Sequence, residues 1–309
     1  MHDADVLPPL SPAALLTSWM FDPLGASLAA ALTCLYAVCL FRSCRRSANW
    51  HGLRTAAFMI LGIGSLVYST CGALAVYRTS LFWVAAVQAA TLSAVTPMGL
   101  ALGDPVSLAR GGLRVRAFGD VGHPVTGPLA RILMFPLVSS LLAVGSLIVV
   151  FFTGYFTASL SHPLVRDVLY LQLLLTGLLV VLPLLSEDLL PPWCTHPVRA
   201  LLAFVDGLLD AIPGILVMTA PALLAPGVAG FTSRAWGPGP ALDQKLGGAA
   251  MLVVAEIIGL PLLAVIFVSW VRADAAQAAA TDALLDARDA ESAEVVLDRP
   301  WWETDPPVL

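Results

Sequence analysis

The sequence predicts an all-α, polytopic integral membrane protein, a bundle of seven transmembrane helices, and three observations carry that prediction. Of 309 residues, 58% are hydrophobic and 12% are charged, against roughly 25% charged in soluble proteins. Mean hydropathy is +0.85. Seven apolar runs each approach the roughly 20 residues that a helix rising about 1.5 Å per residue needs to cross a bilayer.

The elements follow in chain order. Residues 1–23 contain no Lys or Arg, so they lack the basic start of a signal peptide. They read as an external segment whose "SPAALLTSWMF" lies along the interface with Trp19 at headgroup depth. Span 1 covers 24–41, an uncharged run closed by "FRSCRR". Spans 2 to 7 cover 55–77, 80–103, 132–154, 165–185, 198–221 and 247–271. Spans 3 to 7 each hold a proline (Pro97, Pro136, Pro183, Pro213, Pro261). Neighbouring helices can re-satisfy the carbonyls such prolines free, so kinked packing accounts for them. The transmembrane domain is therefore 24–271, followed by a tail at 272–309. That tail holds nine acidic residues against three arginines, opens on the helix-forming "RADAAQAAATDALLDARDA" and closes on "RPWWETDPPVL". Its exposed pair Trp301 and Trp302 suits a docking anchor; the alternative is a solvated tail.

Lys and Arg set the orientation. With the N-terminus outside, the cytoplasmic side collects twelve of the sixteen cationic residues, so the positive-inside rule favours N-out and C-in. The basic loop between spans 3 and 4 (Arg110, Arg114, Arg116, Arg131) is too sparse for nucleic acid and suits an anionic lipid surface. Cys34, Cys39 and Cys71 fall inside spans, and Cys44 and Cys194 near cytoplasmic loops, so no disulfide framework is expected. Cys194 and His196 form too small a set for a metal site. No phosphate loop, GxSxG, HExxH or CxxC is present, and no enzyme activity is expected.

"RALLAFVDGLLDAIPGILVM" stands out. Asp206 and Asp210 lie one turn apart on one helix face, and each costs roughly 2.5–3.5 kcal/mol near the centre of a span. Eleven Val, Leu, Ile and Phe residues between 198 and 217 offset this by roughly 3–7 kcal/mol. Insertion is thus near balance, and the acidic face must point into the bundle. Gln88, Gln172 and Glu256 fall roughly 10–14 Å below the outer surface, with Asp210 near the midplane, counting about 1.5 Å per residue. These five residues form a candidate intramembrane polar cluster, in which an aspartic acid donates to Gln172 or shares a proton with Glu256, and Asp206 supports Asp210 from the cytoplasmic side. The alternative is a satisfied packing cluster.

Several blocks carry a resemblance. "VQAATLSAVTPMGLALGDPVSLAR", "FFTGYFTASLSHPLVRD", "LYLQLLLTGLLVVLPLLSEDLLP", "DGLLDAIPGILVM" and "LDQKLGGAAMLVVAE" resemble, in order and register, blocks of the CtaG family of cytochrome c oxidase assembly proteins (caa-type oxidase assembly factors). "VSWVRADAAQAAATD" and "RPWWETDP" are similar to the tails of its actinobacterial members. The resemblance implies a multi-pass protein of the bacterial plasma membrane that assists maturation of a haem–copper oxidase, with oxidase subunits and the lipid bilayer as partners. It also implies copper, held by histidines on these helices. Here those histidine positions fall on Ala85, Ala89, Tyr170, Gln172 and Asp210, and a family tryptophan falls on Leu252. Copper prefers imidazole or sulfur, so no metal site and no cofactor are expected, and Asp210 and Glu256 stand where family members bind metal. Two other classes stay open. One is a transporter of protons, cations or a small solute using the intramembrane acids, although the seven spans show no inverted repeat. The other is a structural subunit of a respiratory complex.

Overall fold

A computed structural model describes residues 7–44, 52–105, 108, 133, 135–185 and 196–293. Its described elements are all helical: α1 (Pro12–Thr17), α2 (Pro23–Cys44), α3 (Gly52–Tyr77), α4 (Phe82–Leu102), α5 (Pro136–Phe152), α6 (Gly154–Ser161), α7 (Pro163–Leu185), α8 (His196–Thr219), α9 (Ala229–Thr232) and α10 (Pro240–Ala293). Six of these are long and apolar enough to cross a bilayer, and the pair α5–α6 makes a seventh span, bent by 71°. Span 4 is expected from the sequence to cover 132–154, and the bent pair carries it on to Ser161. The bend falls at Thr153, whose extended backbone (φ −124°, ψ 176°) ends α5 while its side chain caps α6 through Tyr155 N.

Helix starts follow local chemistry. Ser11 accepts from Ala14 N, capping α1, with a proline at the next position. Asp22 does the same for α2 by accepting from Gly25 N at 2.9 Å. Trp19 is exposed, as an interface residue requires, and its indole N–H donates to Leu16 O.

Spans 2 and 3 are irregular inside. α3 carries a π-helical stretch at Phe58–Gly64 and a break at Gly72; α4 carries one at Thr91–Val95. Such bulges free carbonyls and often mark functional sites. Ser65 fills part of the gap in α3 by donating to Leu61 O and meeting Thr96 Oγ1 at 2.8 Å. Beside the α4 bulge, Pro97 has no N–H for the carbonyl of Ser93, and Gly177 of α7 approaches that carbonyl so closely that a Cβ there would collide with it.

α4 is the central helix, with 72% of its most apolar window buried; α2 and α10 are peripheral at 22% and 17%. α10 packs along α8 and against α4. α10 runs unbroken through residue 272 to Ala293, and residues 274–290 of it are exposed on all sides. Trp301, Trp302 and Cys194 lie outside the described residues.

Candidate functional site

The five polar residues read as one cluster separate into four environments. Asp206 and Asp210 do line a common space, a cavity of about 50 Å³ walled by α4, α5, α7, α8 and α10 through residues such as Ser93, Met98, Gly177 and Met251. That volume admits water-sized occupants. Asp206 is 6% exposed. Its partner is neither Gln172 nor Glu256 but Ser140 of α5, whose hydroxyl lies 2.5 Å from Oδ1. Ser140 also reaches Pro136 O at 2.8 Å, so one hydroxyl proton faces two acceptors.

Gln172 makes a separate pair of bonds. It accepts from the Tyr155 hydroxyl at 2.9 Å and donates to Ser146 Oγ at 2.7 Å, tying α7 to α5 and α6. Glu256 is the clear departure. It is exposed on the outer face of α10, between Val253, Ile257 and Leu260, which are 54%, 63% and 59% exposed. A helix face is set by angle as well as by position along the chain, and Glu256 does not face the interior as the others do. Glu256→Leu is therefore expected to leave the melting temperature of the detergent-purified protein unchanged or slightly raised; a drop of several degrees would return Glu256 to the bundle interior.

Gln88 belongs to a fourth group that sequence reasoning missed. Its amide Nε2 donates to Ser69 O at 2.6 Å and to the Tyr170 hydroxyl at 2.8 Å. Tyr170 also accepts from Arg78 Nη1 at 2.7 Å, and Arg78 Nη2 bonds Ser159 Oγ at 3.0 Å and its carbonyl at 3.3 Å. The Arg78 and Arg166 guanidinium carbons lie 5.3 and 5.9 Å from the Tyr170 ring centroid. Arg166 is paired with buried Asp22 at 2.7 Å and with Asp167 at 2.9 Å. Burial lowers the Arg78 pKa, which its contacts with Tyr170 partly restore. The available signal was Arg78 itself, a lone cation in the short "YRTSL" connection between two apolar runs.

Three of the positions where the resemblance implies histidine converge here: Ala85, Ala89 and Tyr170 line a cavity of about 10 Å³ together with Arg78 and Gln88. The other two lie elsewhere, Gln172 with Tyr155 and Asp210 in the larger cavity. No group of three His, Cys, Asp or Glu residues able to hold a metal occurs among the described residues.

A further knot joins the connection before α4 to the start of α10. Asp243, fully buried, accepts from Phe82 N at 2.9 Å and Trp83 N at 3.0 Å, capping α4 from a remote element, and pairs with Arg234 at 2.9 Å. Gln244 beside it accepts from Leu224 N and donates to Ala222 O. Gly248, one turn on, meets Gly214 of α8 backbone to backbone.

Comparison with known proteins adds a sequence-level result. The sequence model of the cytochrome c oxidase caa3 assembly factor family matches residues 34–273. The chain is similar to uncharacterised proteins of Mycobacterium bovis and Mycobacterium tuberculosis, at 25% identity over 85% of its length. A third uncharacterised relative, from Mycobacterium leprae, is 24% identical over 84% of the chain. The chain spans about 40% of the length of these curated relatives. No solved structure matches it.

Proposed function

We infer the role of this chain from one premise: it belongs to the cytochrome c oxidase caa3 assembly factor family (Caa3_CtaG). Its task in this reading is that of a non-catalytic membrane accessory protein in assembly or maturation of a haem–copper oxidase, seated in the bacterial plasma membrane with its N-terminus outside. Oxidase subunits are its partners. The observation that carries this is the extent of the match, from within α2 to the turn of α10 beyond its apolar stretch.

Copper has no part in this reading. Where the resemblance implies histidines, a buried guanidinium stands beside Ala85, Ala89 and Tyr170. A cation repels a metal ion, and the Gln88 amide nitrogen is a donor to Ser69 O and Tyr170 Oη, not a metal ligand. The groups available to a client or cargo are instead Asp206 and Asp210 in their cavity.

Deletion of the gene is expected to lower membrane haem a and cytochrome c oxidase activity, with restoration by the wild-type chain. Asp206→Asn is expected to restore most of that function, because its amide can donate to Ser140 while Ser140 donates to Pro136 O. Asp206→Leu is expected to restore little. Unchanged haem a spectra and oxidase activity after deletion would overturn the reading. The cavity between five helices also favours a second reading, transfer of protons or a small cation through the acids. Flux in liposomes that is lost in Asp210→Asn would select it.

A further inference from the structure

We propose that the outer face of α10 is a docking surface for a second copy of this chain, with Glu256 at the contact. Glu256 lies inside the apolar stretch at 247–271. It is exposed and makes no hydrogen bond or ion pair among the described residues. With 17% of its most apolar window buried, α10 is the least covered of the six single-helix spans. Ionisable residues within spans almost always face a bundle interior or a water-filled cavity, because hydrocarbon offers them no partner. A carboxyl on the lipid side therefore marks a face that the single chain leaves unfinished.

The pattern around Glu256 identifies what finishes it. Leu246, Val253, Leu260 and Phe267 recur at every seventh residue and are 43–59% exposed. Ala249, Glu256 and Leu263 follow the first three of them at intervals of three, and Ala249 and Leu263 are half-buried. The seam thus alternates three- and four-residue steps, the 3.5-residue period at which two parallel helices stay in contact along a left-handed crossing. One polar residue in such a seam fixes register and partner number. Two copies in one membrane share an orientation, so their α10 helices run parallel, and residue 256 of each meets residue 256 of the other across a two-fold axis. A carboxylic acid carries a donor and an acceptor, so two of them there satisfy each other with no third group. The nearest cations on α10 cannot serve a copy in this register. Lys245 and Arg272 stand about 16 Å and 24 Å of helix rise from Glu256. The pairing stands independently of the assembly role.

The test uses the purified full-length chain alone, in vesicles of phosphatidylcholine and phosphatidylglycerol. In dilute detergent the copies separate, so the melting expected there for Glu256→Leu is that of the single chain. Energy transfer between chains carrying C-terminal fluorescent proteins is followed as lipid is added, and is expected to fall with dilution as a dimer dissociates. Glu256→Leu is expected to need about tenfold more chain per lipid for half-maximal transfer, on the scale of one interhelical hydrogen bond. Glu256→Gln is expected to keep the wild-type midpoint, because an amide also carries a donor and an acceptor. In a chain whose five cysteines are replaced by alanine, Val253→Cys and Leu260→Cys are each expected to oxidise to a linked dimer. Leu175→Cys, exposed on α7, is expected to stay monomeric. Monomers at every density, a midpoint unchanged in Glu256→Leu, linkage from Leu175→Cys as strong as from Val253→Cys, or pairing only after another membrane protein is added would each overturn the assignment.

Discussion

Asp243→Asn is expected to destabilise the protein by about 3–5 kcal/mol, the range for removing one partner of a buried ion pair. The carboxylate is fully buried and serves three groups at once: the Phe82 and Trp83 amides and the Arg234 guanidinium. Asparagine keeps the shape and one acceptor, but its amide hydrogens then face N–H donors. Arg234 keeps bonds to the carbonyls of Ser80 and Pro238, yet loses its only ion-pair partner among the described residues and stays mostly buried. Unfolding in mixed micelles by increasing SDS measures the loss. Adding Arg234→Met should recover part of it, because the stranded charge goes too. A single variant within about 0.5 kcal/mol of wild type, the usual range for surface changes, would show that the knot is dispensable.

Gly248→Leu is the second large effect, a loss of about 3 kcal/mol, at the top of the usual range for overpacking. A Cβ at 248 would lie 2.6 Å from Gly214 O and 2.8 Å from Met218 Cα, and one at 214 would lie 2.8 Å from Gly248 O. Within a bilayer, helices have little hydrophobic drive to associate, and close backbone approach through small residues supplies the packing. A leucine at 248 forces α8 and α10 apart and opens the cavity that Asp206 and Asp210 line between them. Gly207→Ala is the control. That glycine is on α8, the helix that Gly248 meets, with open space around its Cβ position, and alanine there should be neutral or stabilising by roughly 0.5–1 kcal/mol. Equal losses in the two variants would mean that the close contact of Gly248 with α8 has no special part in the packing.

The spans were legible in the sequence because bilayer thickness imposes a length and a polarity that can be counted along the chain. The same counting located Asp206 and Asp210 and required their face to turn inward, and both do line an interior cavity. It could not separate Glu256 from them. Depth is a one-dimensional property that sequence position records, whereas the direction a side chain faces depends on how each helix is rotated about its axis, and neighbouring helices decide that. Gln88 and Gln172 do bond inside the bundle, but their partners were not foreseeable. Tyr170 and Arg78, and Tyr155 and Ser146, come from segments whose neighbours only packing selects.

The sequence by itself determined a seven-span, all-helical membrane protein, its family resemblance and the interior placement of two acids. These rest on hydropathy, helical period and ordered short motifs, all local quantities. Only the tertiary structure decided that Ser140, not a glutamine or Glu256, meets Asp206, that Asp243 caps a helix some 160 residues away, and that Arg78 closes on Tyr170 at positions where histidines were implied. Each is a contact between segments far apart in the chain. In a low-dielectric interior every buried polar group must find a partner, and which partner lies within reach is settled by the bends, bulges and glycine contacts that set each helix against the next.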